Sequence, residues 1–180
     1  MQSLLCGERV RLAALTRDDL ATVVRWQKNS RFLRLFDARP AYPKTLPALT
    51  EWLDERHKAK DGFVFAVRLL DEDKLIGYVE LDGILWAHRT GWISIAIGDD
   101  VYWGQGYGSE AMRLLLRFAF DELNLYRVQL TVFDYNERAI AMYERLGFRR
   151  EGTLRAFMQR DGQRYDMHQY GLLYPEWKKT

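Results

Sequence analysis

The 180 residues are 48% hydrophobic and 29% charged, with a net charge of +2. Those values fit a soluble globular chain, and a balance this close to neutral, with bases interleaved among acids, argues against a nucleic-acid-binding surface. The single cysteine, Cys6, excludes an internal disulfide and fits a reducing compartment. No apolar run approaches the ~20 residues that span a bilayer. The first nine residues lack the charged-then-apolar pattern of a secretion signal, so a cytoplasmic protein is expected.

Residues 9–15 alternate through Val10, Leu12 and Ala14, which predicts a short strand. Thr16 follows as a helix N-cap, with Asp18 and Asp19 in the first turn, where the helix dipole favours acids. That helix is expected to reach about Lys28, with Leu20, Val23, Val24 and Gln27 on its inner side. Residues 29–44 contain Pro40 and Pro43 and are expected to be an irregular, substrate-shaping loop. Its Arg31, Arg34 and Arg39 form the densest basic stretch; a solvated segment beside a cleft and an RNA contact are the two readings of it. A second helix is predicted over residues 46–60, with Leu49, Trp52, Leu53 and Arg56 at helical spacing.

Residues 63–70 and 75–81 are β-rich and are separated by the polar turn 71–74, a hairpin signature. Residues 92–97 alternate with Ile93, Ile95 and Ile97 on one face. The period then changes. Gly104-Gln105-Gly106-Tyr107-Gly108 precedes a predicted helix over 109–124, with Ala111, Leu114, Leu115, Phe118 and Ala119 on one side. Residues 127–133 alternate again through Val128, Leu130 and Val132. Asn136 opens a further helix that ends at Gly147, and strands over 148–157 and 164–172 flank an Asp161-Gly162 turn. The order is β, α, α, three β, α, β, α, two β, in one α/β domain spanning residues 7–175. The strand–helix–strand unit over 92–133 predicts two parallel strands.

Three alternate glycines running directly into a helix make an anion site. Glycine admits a close ligand, and the first helical turn offers unpaired N–H groups and partial positive charge. A P-loop would need a lysine where Gly108-Ser109 stands. A dinucleotide fingerprint counted from Gly104 would need glycine at Ser109, so both nucleotide readings are weak.

The segment from Asp100 through Trp103, Gly104, Gly106 and Gly108 to Ala111 resembles the acetyl-CoA motif of GCN5-related N-acetyltransferases (GNAT). The RimJ/RimL branch, which acetylates protein N-termini, and the related spermidine acetyltransferases are the nearest in pattern. Asn136, Ala139, Tyr143, Gly147 and Phe148 are similar to the family's second motif, N-x-x-A-x-x-x-Y-x-x-x-G-F. The resemblance covers about residues 7–173 and implies a mixed central sheet flanked by helices. It implies acetyl-CoA as co-substrate, with backbone N–H groups of Gln105, Gly106, Tyr107, Gly108 and Ser109 on the pyrophosphate. It also implies that Ile95, Ala96 and Ile97 run along the pantetheine arm, where an N–H can polarise the thioester carbonyl, and that Asn136, Ala139 and Tyr143 lie beside them. Two positions depart from the pattern. Trp103 stands where Arg or Gln is commonest, and Thr131 stands where some relatives place a catalytic glutamate.

Tyr143 is the candidate acid for the departing thiolate, since a phenol and an alkyl thiol have similar proton affinities. A packed aromatic is the structural alternative. Asn136 also suits the N-cap of its own helix. A protonated amine acceptor must lose a proton, and Glu80 and Asp82 are the candidate bases, with His88 as a weaker option; if both acids point to one strand face, they also suit binding of a cationic substrate. The three histidines, His57, His88 and His168, are too scattered to suggest a metal. The expected acceptor is a small-molecule amine or a protein N-terminus, with polyamine and amino-sugar antibiotic both open. No nucleic acid or membrane partner is expected, and the resemblance makes a homodimer an arrangement to test. Thr131 also motivates an alternative, a non-catalytic acyl-CoA sensor on the same fold.

Overall fold

A computed structural model describes residues 3–178. The first two residues of the N-terminal segment discussed above lie outside them. Seven strands form one sheet in the order β1-β2-β3-β4-β5-β7-β6: β1 Val10–Ala14, β2 Phe63–Leu69, β3 Leu75–Leu85, β4 Thr90–Ile97, β5 Arg127–Phe133, β6 Arg149–Arg160 and β7 Gln163–Leu173. Neighbours are antiparallel except β4 and β5, the expected parallel pair. Among the described residues six α-helices complete the fold: α1 Leu20–Trp26, α2 Ser30–Phe36, α3 Leu46–Lys58, α4 Tyr107–Arg117, α5 Glu137–Arg145 and the short α6 Tyr174–Trp177.

The sheet separates two apolar layers. One face buries Leu20, Val23 and Trp26 of α1, Phe32 and Leu33 of α2, and Leu49 and Leu53 of α3 against Ala66, Tyr78 and Ala96. The other buries Ala111, Met112, Leu114, Leu115 and Leu116 of α4 and Tyr143 of α5 against Val79, Leu81, Ile93, Val128 and Leu130. Each large apolar side chain so buried contributes roughly 1.5–3 kcal/mol.

The local signals account for most boundaries. Asp161 and Gly162 both take positive φ, 50° and 81°, which matches the right-handed twist of the β6–β7 hairpin. At the end of α5 the Phe148 N–H donates to Tyr143 O at 3.1 Å and the Gly147 N–H to Glu144 O at 3.0 Å. This is a Schellman stop, with the Tyr143 and Phe148 rings in contact across it.

Three expectations change. Thr16 does not begin an α-helix directly: a 3₁₀ turn, Arg17–Asp19, comes first, and Asp19 is buried with its carboxylate on Arg68. Residues 29–44 are not irregular throughout. The Asn29 side-chain oxygen Oδ1 accepts from the N–H groups of Arg31 and Phe32, which starts α2, and Phe32, Leu33 and Phe36 supply its apolar side. The helix after the glycine turn starts two residues early, at Tyr107. It then widens into a π-type turn, Phe118–Glu122, before closing at Asn124 with φ 55°.

Candidate active site

β4 and β5 pair only at Thr90–Arg127, Gly91–Val128 and Trp92–Gln129. Beyond Trp92 they diverge, so the edge of β4 that faces β5 has no strand partner over residues 93–97. The gap opens a cavity of about 530 Å³, walled by residues 93–97 on one side and Thr131, Val132 and Phe133 on the other. The glycine turn closes one end, and Phe32, Leu35 and Phe36 of α2, with Asp37 just after it, also line the slot.

Gly106 caps α4 with φ 89°, a conformation that costs an L-residue about 1–2 kcal/mol. The first α4 hydrogen bond is Glu110 N–H to Gly106 O, 3.1 Å. The N–H groups of Tyr107, Gly108 and Ser109 therefore have no intrahelical acceptor, and Gly108 and Ser109 line the cavity. Arg9 braces the turn from outside. Its Nη1 donates to Gln105 O at 2.9 Å, its Nε pairs with Glu110 at 3.1 Å, and its guanidinium lies 4.7 Å from the Tyr107 ring centre. Of the anticipated turn residues, Gly106, Gly108 and Ser109 line the cavity and Gln105 and Tyr107 do not.

Trp103 is the hub of this end. Its indole N–H donates to Ile97 O at 2.8 Å, which takes one carbonyl of the open β4 edge. Arg138 and Arg31 lie 4.3 and 5.5 Å from its ring centre. Among the described residues no acidic side chain pairs with either. Burial, and after it the charge of Arg31, lowers the Arg138 guanidinium from its ordinary value.

α5 supplies Asn136, Arg138, Ala139, Met142 and Tyr143 to the wall. Asn136 caps its helix by accepting from Ala139 N–H at 3.4 Å, and its amide donates to Leu35 O at 3.4 Å, tying α5 to α2. Tyr143 is buried, and burial pushes its phenol well above the usual value. It therefore stays protonated across the neutral range. Thr131 lines the cavity with no carboxylate of its own to offer.

Glu80 does not line the cavity. It lies on β3 behind Ser94, which does line it, and the Ser94 hydroxyl donates to Glu80 Oε2 at 3.3 Å. Arg56 of α3 reaches Glu80 Oε1 at 3.2 Å and Asp82 Oδ2 at 3.4 Å, so both acids share one sheet face as anticipated. The Glu80 contact is an ion-pair distance without hydrogen-bond alignment. Burial raises the Glu80 carboxyl above the usual range, and Arg56 only partly offsets this; Asp82 is raised for the same reason. His88 falls outside the site. β3 runs on to Leu85 and β4 begins at Thr90, which leaves His88 exposed in the turn at the far, closed end of β4.

An open strand edge, free helix N–H groups at a glycine turn, unpaired arginines and a long apolar-walled slot suit an extended anionic thioester. Residues 9–149 match the family described as Acetyltransferase (GNAT) domain. The chain belongs to the GNAT acetyltransferase family. The Escherichia coli (strain K12) spermidine N(1)-acetyltransferase is 33% identical over 145 residues, 81% of this chain and 75% of that one. The SPbeta prophage-derived uncharacterized N-acetyltransferase YokL of Bacillus subtilis (strain 168) is 28% identical over 96% of this chain and 94% of its own length. The crystal structure of spermidine N-acetyltransferase from Vibrio cholerae in complex with CoA and spermine superposes with a TM-score of 0.86. That likeness is at 26% identity and covers 96% of this chain and 99% of that one. As a GNAT protein this chain is an acetyltransferase that uses acetyl-CoA.

Several residues in or beside the cavity carried no decisive sequence signal. Arg138 stands at a variable position inside the second motif. Arg31 is one base in a stretch whose other two members are paired elsewhere, Arg34 with Asp161 and Arg39 with Asp37. Phe32 and Phe36 belong to a helix too short for its period to stand out.

Proposed function

We propose that the protein transfers the acetyl group of acetyl-CoA to a primary amine by direct attack within a ternary complex. The parting of β4 from β5 carries this reading, because it joins the glycine turn, Tyr143 and the Ser94–Glu80 pair to one slot. The pyrophosphate rests on backbone N–H groups of residues 105–109, and the pantetheine arm adds to the open edge of Ile95, Ala96 and Ile97 beside Asn136 and Ala139. A β4 N–H polarises the thioester carbonyl. The neutral amine nitrogen forms its bond to the carbonyl carbon, the C–S bond breaks, the thiolate takes the Tyr143 proton, and the proton shed by the acylated nitrogen restores the phenol. Only about one amine in a thousand is neutral at pH 7, so Glu80 accepts the excess proton through water beside Ser94. The assignment to the RimJ/RimL branch rests on the two sequence motifs. Release of free thiol from acetyl-CoA against a panel of primary amines tests the reaction; stoichiometric acetylated amine is expected, and hydrolysis alone would contradict amine transfer.

Glu80→Gln separates chemistry from structure. Removing the base is expected to lower kcat by about 100-fold. It should also remove the rise in rate as pH climbs through a carboxyl titrating above the ordinary range. Stability should move the other way. The folded-state carboxyl is raised, so its favourable contribution is complete below the unfolded value and is lost as pH rises through the folded one. Near neutrality the buried charge is therefore a cost, and Glu80→Gln should melt at or above the parent temperature in a thermal scan. A residue with only a structural role would lose stability along with rate.

The unpaired Arg31 and Arg138 beside Trp103 are proposed to meet the nucleotide phosphates of the coenzyme. Arg138→Ala is expected to raise KM for acetyl-CoA by about 10-fold, equal to about 1.4 kcal/mol. S-acetyl-pantetheine, which lacks those phosphates, should show no such change. Equal effects on both donors would remove the arginines from this role.

A further inference from the structure

The part of the cavity built by α2, β5, β6 and β7, where the acceptor is proposed to lie, differs in character from the glycine turn. Its walls are Phe32, Leu35 and Phe36 from α2, Phe133 from β5, Phe157 from β6 and Met167 from β7. Phe32 and Phe36 stack with ring centres 5.9 Å apart, which makes a firm aromatic wall. Asp37 is the one carboxylate among the described lining residues. It is already engaged: Arg39 reaches its Oδ2 from Nη2 at 2.5 Å and Nε at 2.7 Å, and the Arg39 N–H donates to Oδ1 at 3.0 Å.

The two nearby acids on the sheet are likewise committed, because Arg56 holds both Glu80 and Asp82. Lys44 completes the neighbourhood. It interacts electrostatically with Arg39, Asp37, Glu80 and Arg56, so these charges form one group. Arg39 thus holds Asp37, Arg56 is shared between Glu80 and Asp82, and Lys44 adds a third cation beside them. The α2 wall is fastened from outside by the bidentate Arg34–Asp161 pair and by Tyr135 Oη donating to Arg34 O at 2.6 Å. Its aromatic face is therefore held against the slot.

A polyamine carries a positive charge at each nitrogen near pH 7. Such an acceptor gains from unpaired carboxylates, and here it would have to break existing arginine pairs to find them. A molecule with one amine and an apolar body meets the opposite situation. It has one charge to neutralise before attack, and the rest of it replaces water on an aromatic wall. We infer that the preferred acceptor is a primary monoamine with an apolar body of about aromatic size, and that polyamines are poor substrates. This deepens the acetyl-transfer reading above and rests on it.

The test is thiol release at saturating acetyl-CoA with 2-phenylethylamine and spermidine as acceptors, beside a binding measurement for CoA. The expected kcat/KM for 2-phenylethylamine exceeds that for spermidine by at least about 10-fold, near the discrimination a good apolar pocket gives. Phe36→Ala should raise KM for 2-phenylethylamine with little change for spermidine. Arg56→Gln, which releases Glu80 and Asp82, should narrow the ratio by improving spermidine. Equal or better use of spermidine by the unaltered protein would overturn the inference and leave acetyl transfer standing. Intact CoA binding with no turnover of either amine would overturn the inference, and acetyl transfer would fall with it only if the wider panel of primary amines also failed.

Discussion

Gly108→Glu is expected to abolish acetyl-CoA binding while leaving the fold intact. A Cβ at this position meets Met142 Sδ at 3.6 Å and Ile95 Cδ1 and Ile97 Cγ1 at 3.7 Å, all ordinary contacts. The backbone is helical and unstrained, so the first carbon is accommodated. The remaining atoms must then extend into the slot between β4 and α5, and they bring a negative charge to the turn proposed to hold phosphates. Steric filling and like-charge repulsion act together. A loss of at least about 100-fold in affinity follows, or about 2.7 kcal/mol. Gly108→Ala, which adds only the accommodated carbon, should bind within a few-fold of the parent. Titration calorimetry with CoA and circular dichroism on both variants decide the matter, and near-parental binding by the glutamate variant would move the coenzyme out of this slot. Gly106 is a poorer probe, because its positive φ and an added Cβ 3.0 Å from Arg9 Nη2 would strain the turn whatever the ligand.

Tyr143→Phe should lower kcat by about 100-fold and leave KM for acetyl-CoA within a few-fold of its parental value. The ring stays, and so does its contact with Phe148, so thermal stability should hardly change. What is lost is a proton donor that burial keeps protonated well above neutral pH. The loss should shrink with acetyl donors whose leaving thiol is more acidic, because such a thiolate departs without needing the proton. A uniform drop across donors of different thiol acidity would instead mark Tyr143 as packing alone.

The two glutamate-family positions divide differently between function and structure. Thr131 lies on the wall but has no acid, whereas Glu80 has the acid but reaches the slot only through Ser94. For the proposed Glu80 base, a water relay therefore suits this chain better than direct contact with the amine.

Features set by neighbouring residues were legible in the chain by itself. The glycine turn running into a helix, the Asn136 cap, the stop at Gly147 and the Asp161-Gly162 hairpin each depend on the conformational preferences of two to six adjacent residues. The alternation of β2 to β5 and the apolar stripe of α4 follow from the same short-range periodicity, and together they imply the α/β order. Other features depended on where distant segments meet. The slot exists because β4 and β5 pair for three residues and then diverge, and no pattern within either strand encodes that divergence. Helix α2 is seven residues long and is held by the Asn29 cap and by partners over a hundred residues away, Tyr135, Asn136 and Asp161. Neither its helical state nor its place over the slot could emerge from so short a period. The exclusion of His88 followed from where the β3–β4 turn falls, and the pairing of Glu80 and Asp82 with Arg56 from how α3 lies across the sheet. Sequence determined the local conformations and the candidate chemistry. Tertiary structure decided which charges were already matched and which remained free, because electrostatic pairing depends on distance in space rather than separation along the chain.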